Sequence, residues 1–336
     1  MRRMTAFAGG LAILALAACG EPGSAGGGGG GQPDRETAGG TTAEACEPIA
    51  GEQLVVLEDD KNLQTVDNII PAINAEVAEP AMISALDAVS AALDTEILID
   101  LNKAVDVERN TSAQAAADFY ADAGIEVPET SGSGRVVIGA ANFSESGTLA
   151  ELYALALTDA GYDPEVRTIG NRETYEPALE AGQIHIVPEY VGTLTAFLNT
   201  KINGADAPAE NPKASADLEA TTENLRELGE QVGLVFGEPS AAADQNAYAV
   251  TEAFAEEHDV STLSELAKEC GSLSLGGPVE CPDRPFCQPG LEETYGLTFS
   301  EFVSLDAGGP LTKEALRSGQ IALGMVFSSD AALATD

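Results

Sequence analysis

The sequence has no tryptophan, two histidines (His185 and His258), and 16 lysines and arginines against 55 aspartates and glutamates. Each scarcity excludes something. A net charge of −39 repels phosphate backbones and anionic lipid, so nucleic acid is not an expected partner. Two histidines and no CxxC pair leave no zinc-binding set, and no metal is expected. The chain also lacks a GxSxG elbow, a metal-spaced cluster and a dinucleotide fingerprint. It therefore has little with which to catalyse a reaction, and neither an enzyme nor a cofactor is expected. The six consecutive glycines from Gly26 to Gly31 are no phosphate loop, because no Lys-Ser/Thr and no helix signal follow them.

What is present begins with an apolar run from Ala6 to Ala18, preceded by Arg2 and Arg3. It is too short to span a bilayer and has the layout of a secretory signal. Its end, Leu16-Ala17-Ala18-Cys19, resembles a bacterial lipobox. Residues 1–18 are read as a lipoprotein signal peptide. Cys19 would carry lipid at the outer face of the cytoplasmic membrane, and residues 19–45, rich in glycine and polar residues, would be a flexible tether. In an exported protein, four remaining cysteines suggest two disulfides. Cys281 and Cys287 enclose only PDRPF, whose two prolines favour a local loop closed by its own bridge; Cys46 would then pair with Cys270.

The folded part alternates strand and helix signals, which predicts α/β architecture. RVVIGA (135–140), EVRTIG, QIHIVPEY, LVFGEP, NAYAVT, LSLGGP and IALGMVFSS read as strands, with amphipathic helices between most of them. At the front, GEQLVVLEDDK reads as a strand, EVAEPAMISALDAVSAALDTEILIDLNKAVDV as two helices, and SAQAAADFYADAGI as a third. A polar linker, EVPETSGSG (126–134), then interrupts the α/β pattern.

From Arg135 onward the chain resembles the substrate-binding proteins of ABC importers for glycine betaine, choline and carnitine. IGAANFSESGTLAELYALAL, GNRETYEPALEAGQI, PEYVGTLTAFL, NAYAV, GGPVECPDRPFCQPGLEETYGL and LDAGGPLTKEALRSGQIALGMVFSSD carry the likeness, over about 200 residues and in the family's order. The resemblance implies a two-lobed periplasmic binding protein of type II, an α/β fold that traps ligand between lobes joined by a two-strand hinge. In the family, the strand ending FSSD is followed by one like LVVLEDDK and then by two helices. Here that segment lies at residues 54–125, ahead of the rest, which implies a circular permutation with 126–134 as the joining linker. One lobe would then be 65–243. The other would combine 244–336 with the permuted segment 46–64, and the hinge crossings would lie near Gln64 and Ala243.

The resemblance also implies a site. A quaternary ammonium group offers no N–H to donate, so its receptor is a box of aromatic faces. Tyr190 and Tyr248 match cage tyrosines, and Phe327 falls where the family has a further aromatic. Thr193 matches a hydroxyl for the ligand carboxylate. Arg284 matches an arginine that reaches the carboxylate or locks the lobes, and Glu280 matches its acidic partner. Tyr153, Tyr162, Tyr175 and Tyr295 are read as packing or surface residues.

The chain departs from the family at Ala141, where relatives have lysine, and near Asp67, where a cage aromatic is missing. Asp67 could replace that ring by charge attraction. The expected protein is a monomeric receptor for a quaternary ammonium or betaine-like ligand, delivering it to an ABC permease. The alternative is the same fold taking a different small polar or cationic solute.

Overall fold

Local chemistry sets most element ends. The computed structural model describes residues 45–128, 130–331 and 333; the signal run, Cys19 and most of the tether lie outside them. The chain forms β1 (Leu54–Leu57), β2 (Ile69–Asn74) and helices α1 (Pro80–Ala92), α2 (Thr95–Asp106) and α3 (Ser112–Ala123). After the linker come β3 (Arg135–Ala141), α4 (Ser144–Asp159), β4 (Asp163–Gly170), α5 (Arg172–Glu180), β5 (Ile186–Tyr190) and α6 (Val191–Asn203). A short α7 (Ala207–Glu210), α8 (Leu218–Val232) and β6 (Leu234–Phe236) follow. The remainder is β7 (Asn246–Thr251), α9 (Glu252–His258), α10 (Leu263–Glu269), β8 (Leu273–Gly277), α11 (Gln288–Gly290), β9 (Phe299–Ser304), α12 (Pro310–Arg317) and β10 (Leu323–Phe327). Asp94, Thr111 and Asp217 cap α2, α3 and α8 by accepting from backbone N–H groups of the first turn. Thr262 and Glu265 form a reciprocal capping box on α10.

Six of these elements go beyond the sequence pattern: β2, α6, α7, α9, α11 and β9. The omission of β2 has a clear cause, since Pro71 argues against an interior strand. Yet β2 is buried along its whole length. Pro71 faces Pro188 across the antiparallel β2–β5 pair, and its carbonyl accepts from Gly237 on the β6 side. The missing N–H therefore costs no rung between β2 and β5.

Ten strands make two five-stranded sheets, ordered β4-β3-β5-β2-β6 and β1-β7-β10-β8-β9. Read from opposite edges, the two have one topology. In each, two parallel pairs (β3 with β4 and β5; β8 with β9 and β10) are followed by two antiparallel ones. The antiparallel strands are β2 then β6 in the first sheet and β7 then β1 in the second. β1 thus holds in the second sheet the place that β6 holds in the first. Apolar side chains fill both faces of each sheet, as parallel strands covered by helices require. The result is a two-lobed α/β protein of the type II periplasmic binding kind.

The chain crosses between lobes at 58–68 and 237–245. These crossings pair with each other: Asn68 bridges Ala243, Asp244 N donates to Asp67 O at 3.0 Å and Ile69 N to Ala242 O at 3.0 Å. Gly192, at the start of α6, must be glycine there, because a Cβ would lie 2.2 Å from Val66 O and from Thr65 Oγ1. Both expected disulfides form, Cys46–Cys270 and Cys281–Cys287. The first joins residues 224 positions apart, a loop for which chain entropy alone is worth about 5 kcal/mol.

Candidate functional site

The ends of β3, β5 and β10, the starts of α4, α5 and α6, and the Cys281–Cys287 loop converge on a cleft between the lobes, with a cavity of about 210 Å³. In the first lobe Phe143 directly precedes α4, and Tyr190 is both the last residue of β5 and the N-cap of α6. Phe327, the last residue of β10, comes from the second lobe. The Phe143 ring lies near both of the others, 6.4 Å from Tyr190 and 5.5 Å from Phe327, centroid to centroid. Tyr175, Phe197 and Phe286 complete the aromatic part of the wall.

Three buried carboxylates lie around these rings. Glu145 accepts from the Tyr190 hydroxyl at 2.6 Å, from Asn102 Nδ2 at 2.6 Å and from Ser329 Oγ at 2.7 Å. Asp244 accepts from Ser329 N at 3.0 Å. Asp67 accepts from Gly192 N and Thr193 N, both at 2.9 Å, and so caps α6 from the hinge. Burial pushes all three carboxyls up: Asp67 to about 7, and Asp244 well above the usual range, helped by the charge of Glu145. Among the described residues no lysine or arginine lies within ion-pair distance of any of them. A cation entering the cleft would favour the ionised form of these carboxyls, which burial otherwise holds back.

Both guanidinium groups of the wall are already matched. Arg172 grips Glu189 with two bonds of 2.9 and 2.7 Å and donates to Thr193 Oγ1 at 2.9 Å, while Tyr175 OH donates to the same Glu189 at 2.8 Å. Arg284, from the second lobe, reaches Glu173 of the first at 3.0 Å and Glu280 of its own lobe at 3.4 Å. Glu280 in turn accepts from Asn171 of the first lobe at 3.4 Å. The mouth of the cleft is thus tied across by charge.

Of the residues expected from sequence, Tyr190, Thr193, Phe327, Asp67, Arg284 and Glu280 all line the cavity. Tyr248 does not. It sits in the middle of β7, between β1 and β10, is 2% exposed, and donates its hydroxyl to Phe286 O at 2.8 Å. Its ring packs in the second-lobe core, so the cage role is corrected. Asp67 is engaged as a helix cap as well as facing the cleft. Tyr175, read as a packing residue, is buried with its hydroxyl on Glu189 and lines the wall.

Phe143, Glu145, Arg172 and Asp244 were not singled out. Phe143 carried a signal, an aromatic placed just before a helix at a strand end; a buried Glu145 looks in sequence like one more acid. Cys46, Cys270 and His258 also cluster, with His258 Nδ1 3.7 Å from Cys46 Sγ. The two sulfurs are bonded to each other, which leaves no thiolate pair for an ion.

The chain is similar in sequence to known proteins. Residues 47–122 and 134–335 match the family described as the substrate binding domain of ABC-type glycine betaine transport system. A curated glycine-betaine-binding protein of Pseudomonas aeruginosa is 30% identical over 230 residues, 65% of this chain and 68% of that protein. A solved glycine betaine/carnitine/choline ABC transporter structure is 20% identical, with a TM-score of 0.37, over 59% of this chain and 70% of that one. The chain belongs to the family of substrate-binding domains of ABC-type glycine betaine transport systems. It is accordingly an extracytoplasmic solute-binding protein, not an enzyme, and its partners are a small ligand and an ABC permease.

Proposed function

We propose that this cleft captures glycine betaine or a related quaternary ammonium compound and holds it for the permease. One observation carries the reading: the Phe143, Tyr190 and Phe327 rings line one cavity together with buried Asp67 and Asp244, neither of which forms an ion pair with a basic side chain among the described residues. Each ring facing a trimethylammonium group is worth about 0.5–2 kcal/mol. The Tyr190 hydroxyl, held by Glu145, fixes its ring in place and makes it the more electron-rich. Glu145 therefore acts through Tyr190, as a positioning residue.

The test is a thermal-shift and calorimetric panel on the purified chain with glycine betaine, choline, carnitine and proline betaine. Ligand at a hundred times its dissociation constant adds about 2.7 kcal/mol of stability, so at least one member should raise the melting temperature. Tyr190→Ala should remove that rise. A flat panel, or full binding by Tyr190→Ala, overturns the reading.

Two further proposals concern how the receptor is built. Residues 46–64 belong with the second lobe, 65–243 form the first, and the chain order is a circular permutation. The equivalence of β1 and β6 in two sheets of one topology supports this, and the family match breaks at residues 123–133, across most of the joining linker. Residues 1–18 are a signal peptide and Cys19 anchors a monomeric receptor by lipid. The support here is the sequence motif alone, since no helix among the described residues is long and apolar enough to cross a membrane.

A further inference from the structure

The loop between Cys281 and Cys287 is held by one carbonyl. Phe286 O accepts three side-chain donors: Tyr248 OH at 2.8 Å, Gln64 Nε2 at 3.1 Å and Asn246 Nδ2 at 3.3 Å. A backbone carbonyl has two lone pairs, so three donors on one oxygen is a crowded arrangement. Those donors come from significant places. Gln64 lies in one lobe crossing, and Asn246 is the first residue of β7 after the other. Tyr248 is fully buried in β7. The next residue but one before Phe286 is Arg284, whose guanidinium makes the ion pair to Glu173 across the cleft mouth.

We propose that the Phe286 carbonyl and its three donors couple the hinge to this cross-cleft ion pair, with Tyr248 and Gln64 as positioning residues for the latch. The proposal rests on the reading of the cleft as the ligand site. Physically, the arginine side chain is long and its pair with Glu173 is partly exposed, with the side chains 31% and 41% accessible. Such a pair is worth little unless its geometry is fixed in advance. Three features fix it. The disulfide limits the loop to seven residues, and Gly290 lets the loop backbone come close, since a Cβ there would lie 2.2 Å from Pro285 O. The hub on Phe286 O sets the loop's position against the 58–68 crossing and the start of β7. When the lobes separate, the 58–68 crossing turns and moves Gln64, while Asn246 and Tyr248 stay in β7. The shift of Gln64 reaches Arg284 through Phe286 O. This gives Tyr248 a function that its burial away from the ligand wall does not suggest.

The experiment compares ligand release from the full chain and from Tyr248→Phe, Gln64→Leu and Arg284→Gln, by stopped flow, with glycine betaine and choline as probes. Loss of one hub donor should speed release by up to ~10-fold, the size of one net hydrogen bond. The ratio of affinities for the two probes should stay unchanged. In the Arg284→Gln background, Tyr248→Phe should add nothing. Unchanged release in both hub variants overturns the proposal, and so does full additivity with Arg284→Gln. A changed affinity ratio would do the same, because it would put the Tyr248 ring against the ligand. If the unaltered chain binds neither probe, the ligand reading fails. Hydrogen exchange on the ligand-free chain then tests the latch alone. Tyr248→Phe and Gln64→Leu should expose the amides of Arg284 and Cys287, which now bond to Cys281 O and Arg284 O; unaltered exchange overturns it.

Discussion

Replacing Asp67 by asparagine removes a titrating charge and keeps an oxygen to accept from Gly192 N and Thr193 N. Burial holds the Asp67 carboxyl at about 7, against 3.8 for an exposed aspartate. The folded protein thus favours the protonated acid. The stabilisation from that preference is complete below about pH 4 and is lost as the pH rises through about 7. At ~1.4 kcal/mol for each tenfold, the whole span is worth about 4 kcal/mol. In urea denaturation from pH 4 to 8.5 without ligand, Asp67→Asn should match the parent protein at the acid end and exceed it above pH 7. Glu145 and Asp244 are present in both proteins, as are Arg172 and Glu189 near Asp67, so the difference curve reports the substituted group together with its coupling to Asp244. A bound cation reverses the sign, because it favours the ionised carboxylate. Affinity for a quaternary ammonium ligand should therefore rise with pH through 7 in the parent and flatten in the variant. Parallel stability curves would show that Asp67 is not the proton-binding group and would refute the argument.

Two other tests bear on the architecture. A chain reordered so that residues 134–336 precede 46–126, joined by a short polar linker, should fold, form the Cys46–Cys270 bridge and bind the same ligand within about threefold of the parent; failure to fold or to bind would sink the permutation. Cys19→Ala should shift the expressed protein from the membrane fraction to the soluble one, and an unchanged distribution would end the proposal of a lipid anchor.

Much of the site was legible because short motifs hold their residues at element ends. Tyr190 and Thr193 sit three residues apart where a strand runs straight into a helix, and Phe327 ends a strand that reads plainly as apolar. Tyr248 was misread for a reason of depth. It shares a face of β7 with Asn246, which lines the cleft, but it lies further along the strand, behind the Phe286 carbonyl that takes its hydroxyl. Burial also reassigned the acids. Among 55 acidic residues, nothing local separates Glu145 or Asp244 from a solvated neighbour; only the packing of α4 against Ser329 and the two crossings takes them from water.

The sequence by itself determined the alternation of strands and helices, the local Cys281–Cys287 bridge and the likeness to a receptor family, since all of these depend on local propensity or on short fixed motifs. Tertiary structure alone decided the rest. It placed β2, despite its proline, inside a sheet. It set β1 in the position equivalent to β6, and it brought Gln64, Asn246 and Tyr248 onto one carbonyl. Those outcomes join residues up to about 220 positions apart, and their physical cause is the pairing and burial of segments that carry no sign of one another in the linear chain.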